Sequence, residues 1–195
     1  MCSRLARLRA VALVLTGVVT ATVGGCAQTG DPATASSSPT ASSSPAASDT
    51  RYVRGDGPLA DDWKDEGLLG EDLPERSDLA AMWQTILWAD GYLDRSAIDC
   101  HHAGATLRAT RAWQSNNRLP ADGIVGPLTF GAAGERLVRG ADGLVVYRGE
   151  RHRVPFRRAD DGRYLVEDSG TYRPLRRDRA TLRICQRQGA DQPTG

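Results

Sequence analysis

The stretch Ala112-Trp113-Gln114-Ser115-Asn116-Asn117-Arg118-Leu119-Pro120-Ala121-Asp122-Gly123-Ile124-Val125-Gly126-Pro127-Leu128-Thr129-Phe130 decides how this chain folds. It reads as the end of one helix, a short loop, a tight glycine turn and the start of the next helix. Asp122-Gly123 is a turn pair, because Gly takes positive φ without a Cβ penalty and Asp can bond the backbone ahead of it. Gly126-Pro127 then opens a helix, since Pro suits the first helical position, where its missing N–H costs nothing.

Working outward, Ser77-Asp78 is a helix N-cap followed by Leu79, Met82, Trp83, Ile86 and Leu87 at helical spacing. That helix stops near Ala89-Asp90-Gly91, where Gly supplies a left-handed C-terminal residue. A second helix runs from about Ala105 to Asn116, with Ala109, Thr110 and Trp113 on one side. A third follows Pro127, placing Phe130, Ala133, Leu137 and Val138 inward, with Gly140 as its stop. Residues 77–140 are therefore a small three-helix bundle. Trp83 and Trp113 lie on inward helix faces, which favours core packing over stacking on a ligand.

Trp113-Gln114 followed by Asp122-Gly123-Ile124-Val125-Gly126-Pro127-Leu128-Thr129-Phe130 resembles the second half of a peptidoglycan-binding domain of the three-helix type. The family pattern is a twofold repeat of helix, turn and D-G-x-aliphatic-or-aromatic-G-x-x-T. Trp83-Gln84 and Asp90-Gly91-Tyr92 belong to the first repeat, and Trp113-Gln114 and Arg118-Leu119-Pro120 to the second, within Leu79 to Val138. Asp122 to Thr129 matches in full. The first repeat departs from the pattern: Asp99-Cys100-His101-His102-Ala103-Gly104-Ala105-Thr106 carries Cys100 for the turn Gly, His102 for the aromatic and Ala103 for the second Gly. The backbone turn there is expected to differ, or to be held by something else. The resemblance implies a cell-wall binder that recognises glycan or stem peptide.

After Gly140 the pattern changes. Leu144-Val145-Val146-Tyr147, Val154-Pro155-Phe156, Tyr164-Leu165-Val166, Thr171-Tyr172 and Leu182-Arg183-Ile184-Cys185 are short β-like runs separated by turn clusters. Residues 141–188 read as a small antiparallel meander and 189–195 as a disordered tail, so the fold class is α+β. The many Arg of the meander read as a solvated face, with a site for an anionic polymer as the alternative. Residues 51–76 are an acidic lead-in, where Trp63, Leu68 and Leu69 either pack as a short helix or stay loose.

At the N-terminus Arg4, Arg7 and Arg9 precede an apolar run from Ala10 to Val23, ending in Val23-Gly24-Gly25-Cys26. A basic head, a short apolar core and small residues before a cut site define an export signal, 1–25. Val23 to Cys26 resembles a bacterial lipobox, which places a lipid on Cys26 and anchors the chain at the outer face of the cytoplasmic membrane. An ordinary signal peptide with a chance cysteine is the alternative. Residues 26–50, almost wholly Ser, Ala, Thr and Pro after Cys26, cannot bury enough surface to offset their ordering entropy and read as a disordered tether. Lys64 is the only lysine, and with abundant Ala and Gly this suggests a GC-rich, actinobacterial source. The formal charge of +1 becomes −2 once the three signal-peptide Arg are removed, and neither value suits a nucleic-acid binder.

Of four cysteines, Cys2 lies in the signal and Cys26 would carry lipid, leaving Cys100 and Cys185. In an exported chain these are read as one disulfide, with two independent thiols as the alternative. The bridge would staple the C-terminal segment to the altered turn.

Catalytic patterns are weak. Asp99, Cys100, His101, His102 and His152 show no H-E-x-x-H spacing for a metal, and no G-x-S-x-G elbow occurs. A thiol transpeptidase needs a larger β domain than the tail supplies. The expected protein is non-catalytic, without cofactor or metal. A metal-dependent wall hydrolase built on the histidine pair and an envelope adaptor holding a protein partner are the alternatives. The candidate ligand-binding residues are Tyr92, Arg111, Gln114, Asn117 and Asp122, whose phenol, guanidinium and amide groups suit an amide- and hydroxyl-rich polymer. Gln114 has a second reading, as a residue that only caps a turn.

Overall fold

Ser77 caps α1 (Asp78–Ala89): its hydroxyl accepts the Ala80 N–H at 3.1 Å. Apolar on nearly every side, α1 is buried around its circumference, packed on α2 (Gly104–Asn116) and on a β-sheet. The third helix, α3, spans Pro127–Gly134 with Pro127 in its first turn, as the Gly-Pro signal requires. Trp83 packs edge to face on Trp113 at 5.1 Å and on Phe130 at 5.8 Å, and all three rings are fully buried. This computed structural model describes residues 50–71 and 76–190, with side chains as far as Arg187. The export signal, Cys26, the tether to residue 49, part of the acidic lead-in (72–75) and the tail from 191 lie outside the described residues. Among the described residues no helix is long and apolar enough to cross a membrane.

The third helix is shorter than the apolar spacing suggested. It ends at Gly134, and Leu137 and Val138 lie in β1 (Leu137–Arg139), paired with Tyr147 and Val146. Gly134 makes room for the lead-in: a Cβ there would stand 2.9 Å from the Ala60 carbonyl oxygen, so the lead-in packs on backbone that only Gly leaves open. The meander continues through β2 (Leu144–Arg148), β3 (Arg153–Arg158), β4 (Tyr164–Asp168) and β5 (Thr171–Pro174), antiparallel in the order β1-β2-β3-β4-β5. Val145, Tyr147, Val154, Phe156 and Tyr164 alternate inward and are buried.

The lead-in is part of this core. Trp63 sits among Tyr147, Phe156 and Tyr164, with ring centroids 5.6–6.1 Å apart. Buried Asp62 accepts from Tyr164 Oη at 2.5 Å and from Arg158 Nη1 at 2.9 Å, which satisfies a carboxylate that could not otherwise be withdrawn from water. Tyr52 and Arg54 bridge to Arg176 and Arg163, and Leu69 to Val125.

Leu182 to Cys185 is not a strand. Buried Asp78 accepts from Thr181 N, Thr181 Oγ1, Leu182 N and Arg176 N, which turns the chain, and α4 follows over Arg183–Ala190. Two apolar residues in alternation are too short a signal to outweigh that turn. Cys185 on α4 is bonded to Cys100, so the C-terminal segment is stapled to the altered turn, although through a helix and not through the sheet.

Candidate functional site

The turn at Asp122-Gly123 is built around a buried amide. Gln114 Nε2 donates to Asp122 Oδ1 (3.0 Å), the Ile124 carbonyl (2.8 Å) and Thr129 Oγ1 (3.1 Å), while Gln114 Oε1 accepts the Gly123 N–H at 2.8 Å. Asp122 Oδ1 also takes the Ile124 N–H at 2.8 Å. With every polar atom engaged inside the fold, Gln114 is a scaffold residue: its side chain holds the turn and has no donor left for a ligand.

The altered repeat reproduces this network. Gln84 Nε2 donates to Asp99 Oδ1 (2.6 Å), the His101 carbonyl (3.1 Å) and Thr106 Oγ1 (2.7 Å), and Gln84 Oε1 accepts the Cys100 N–H at 2.7 Å. Asp99 Oδ1 takes the His101 N–H at 2.9 Å. Cys100 has φ 66° where Gly123 has φ 83°, so the non-glycine residue adopts the same left-handed backbone. Of the two expectations for this turn, a different backbone is not found and an added hold is: the amide network keeps the same geometry, and the Cys100–Cys185 disulfide is added to it. Gln and turn residue are 16 positions apart in the first repeat and 9 in the second, the extra length containing a short helical turn at Arg95–Ala97. His102 joins the two turns, its Nε2 lying 2.9 Å from the Gly123 carbonyl; burial lowers the imidazole's pKa, so the neutral ring donates there.

The remaining candidate residues do not form one site. Arg111 Nε donates to the Asp122 carbonyl at 3.3 Å and stays exposed beside the second turn. Tyr92 Oη accepts from Asn116 Nδ2 at 2.8 Å. Asn117 Nδ2 donates to the Trp113 carbonyl and its Oδ1 accepts from Arg136 Nη2 at 2.7 Å, which makes it a bundle-to-sheet link. Asp99 and the His101 backbone belong to the Gln84 network, His102 bonds the second turn, Cys100 is in a disulfide and His152 stacks on Trp88 at 4.2 Å; among the described residues no group of three or more His, Cys, Asp or Glu could hold a metal ion.

A shallow groove of about 200 Å³ opens over the second turn, lined by Leu68, Pro120, Ile124 and Leu128 with Asp122 and Thr129 at its polar side. Leu68, Ile124 and Leu128 are 56, 47 and 68 % exposed, and among the described residues they are the large hydrophobic side chains left in solvent. Scattered singly they would be ordinary; gathered on one groove they make it the candidate contact surface. The Leu69–Val125 bridge puts Leu68 there, a non-local pairing that reading the lead-in alone does not reveal.

Residues 76–132 match the family model "Putative peptidoglycan binding domain". No curated protein and no solved structure matches the chain. The matched region comprises α1, α2, both turns and most of α3, and the groove residues Pro120, Ile124 and Leu128 fall inside it. Leu68 and the whole sheet fall outside. Asp90, buried at the end of α1, couples domain and sheet: Trp113 Nε1 (2.6 Å), Tyr147 Oη (2.7 Å), Arg136 Nη1 (3.0 Å) and Glu150 N (2.9 Å) all donate to it.

Proposed function

We propose that this protein is a non-catalytic peptidoglycan-binding lipoprotein, and that the groove of Leu68, Pro120, Ile124 and Leu128 is where the wall polymer lies. The observation that carries this reading is the gathering of Leu68, Ile124 and Leu128 on one groove over the second turn, the latter two within the matched residues 76–132. The groove is amphipathic: sugar faces and peptide methyl groups would rest on the leucines and Ile124, while Asp122 and Arg111 at its edge would meet hydroxyl and amide groups. Tyr92 lies apart from it and is retained as a secondary contact. The lipid on Cys26 would hold the chain at the outer face of the cytoplasmic membrane, with residues 26–50 spacing the domain toward the wall.

Two experiments test this reading. In an NMR titration of the full chain with a soluble glycan-bearing muropeptide, the Ile124 and Leu128 methyl signals are expected to move; stationary methyls would refute the groove. Cys26→Ala should release the protein from the membrane fraction, and unchanged membrane association would refute the anchor.

A further inference from the structure

A second cleft, of about 470 Å³, lies between α1, β3, β4 and α4, away from the groove over the second turn. Its origin is a residue of β3. The Ala159 N–H donates to the Arg163 carbonyl across the β3–β4 turn, so by strand alternation the odd-numbered residues of β3 direct their backbone groups toward β4. Pro155 is one of these and has no N–H to donate. The β3–β4 ladder consists only of Arg157↔Leu165 and Arg158↔Tyr164, whereas β2 and β3 stay paired as far as Arg148↔Arg153. Beyond Arg157 the strands part, and the cleft lies in the opening between Arg153–Phe156 and Val166–Ser169.

The floor is apolar, formed by Met82, Trp88, Phe156, Val166 and Ile184. The rim is cationic. Arg95, Arg153 and Arg187 line it, are exposed, and meet no carboxylate among the described residues. Arg95 lies over the Trp88 ring at 4.8 Å. The acidic lining residues are already engaged: Glu167 accepts the Gly170 N–H, and Asp168 accepts the Arg183 N–H at 3.1 Å and faces Arg173 Nε at 3.4 Å. The local charge balance therefore favours an anion. The volume falls within the range of small-ligand sites, roughly 300–1,000 Å³, well below what a folded partner's face requires.

We propose that this cleft binds a short carboxylate-bearing peptide, its small apolar groups on the floor and its carboxylates at Arg153 and Arg187. Resting on the wall-binding reading above, the source of that peptide is the stem peptide of peptidoglycan. The domain groove and the cleft would then divide the polymer between them.

The test is a methyl-NMR titration of the full chain with a glycan-free stem peptide ending in D-Ala-D-Ala. Methyl signals of Met82, Val154 and Val166 are expected to move, with affinity falling as salt rises. Arg153→Glu and, separately, Arg187→Glu are expected to weaken binding about tenfold or more, with melting temperatures confirming that each variant folds. Still methyls, or affinity unchanged in both variants, would overturn the proposal. So would a dimer that Arg153→Glu dissolves, which would assign the cleft to a second copy. The groove reading fails separately, on motionless Ile124 and Leu128 methyls with the glycan-bearing probe.

Discussion

Two glutamines, Gln84 and Gln114, do the same work at two turns whose sequences have diverged. Each amide engages four partners inside the fold, so truncating it leaves a turn N–H and a threonine hydroxyl without their partner. Gln84→Ala and Gln114→Ala are each expected to cost about 2–3 kcal/mol, read as a lower urea midpoint. A shift below ~0.5 kcal/mol would show that the network is dispensable. Glu66 has the opposite character. Its Oε1 accepts the Arg54 N–H at 2.6 Å, but Oε2 is buried without a hydrogen-bond partner, with Arg177 Nε at 3.8 Å. Burial pushes the carboxyl up from 4.5 to about 8, outweighing the pull of the Arg54 N–H and Arg177, while Asp65 and Asp62 push the same way. Because the folded state holds a proton that the unfolded state releases, the stability tied to Glu66 is full below about 4.5 and is lost as pH rises through about 8. Glu66→Gln should flatten this decline, gaining on the wild type by several kcal/mol at pH 8, on the order of 1.4 kcal/mol per pKa unit. Parallel melting-temperature curves from pH 5 to 8 would contradict the assignment.

At the scale of elements, the boundaries written in local chemistry were legible. Ser77 marks the start of α1, Asp90-Gly91 its end and Gly126-Pro127 the start of α3, because caps and turns depend on neighbours in sequence. Boundaries set by distant contacts were not. Leu137 and Val138 leave the helix to pair with Tyr147 and Val146 of β2, and the helical C-terminus depends on Asp78 receiving Thr181 and Leu182. The disulfide is a further element-scale constraint, joining residues 85 positions apart. Cys185→Ser is expected to cost about 2–5 kcal/mol, and reductant should lower wild-type stability by a similar amount; a denaturant midpoint insensitive to both would contradict this. Pro155 gives a converse prediction. Pro155→Val restores an N–H facing β4, so the new amide at position 155 should exchange slowly with deuterium as the ladder extends and the cleft narrows. Exchange at the rate of an open loop would show that something other than the missing donor keeps the strands apart.

For the whole molecule, the matched domain is one part of a larger packed unit. Trp63 from the lead-in fills the sheet's core, Asp90 ties α1 to β2, and Leu68 completes a groove that belongs mainly to the domain. The α+β class and the paired repeats were readable from composition and motif. The candidate site was only partly readable: Asp122 and Gln114 line the groove, Gln114 with its amide engaged in the turn, Arg111 stands beside it on the Asp122 carbonyl, and Tyr92 and Asn117 are elsewhere. Ile124 and Leu128 were missed because apolar residues in a helical repeat ordinarily point inward, and only the fold shows these two in solvent. Co-sedimentation of the full chain with purified sacculi, beside a folded Ile124→Ser/Leu128→Ser double variant, tests the wall-binding claim most directly. The wild type should pellet with the wall and the variant should bind about tenfold more weakly or worse. A wild type that stays in the supernatant, or a variant that pellets equally well, would contradict it.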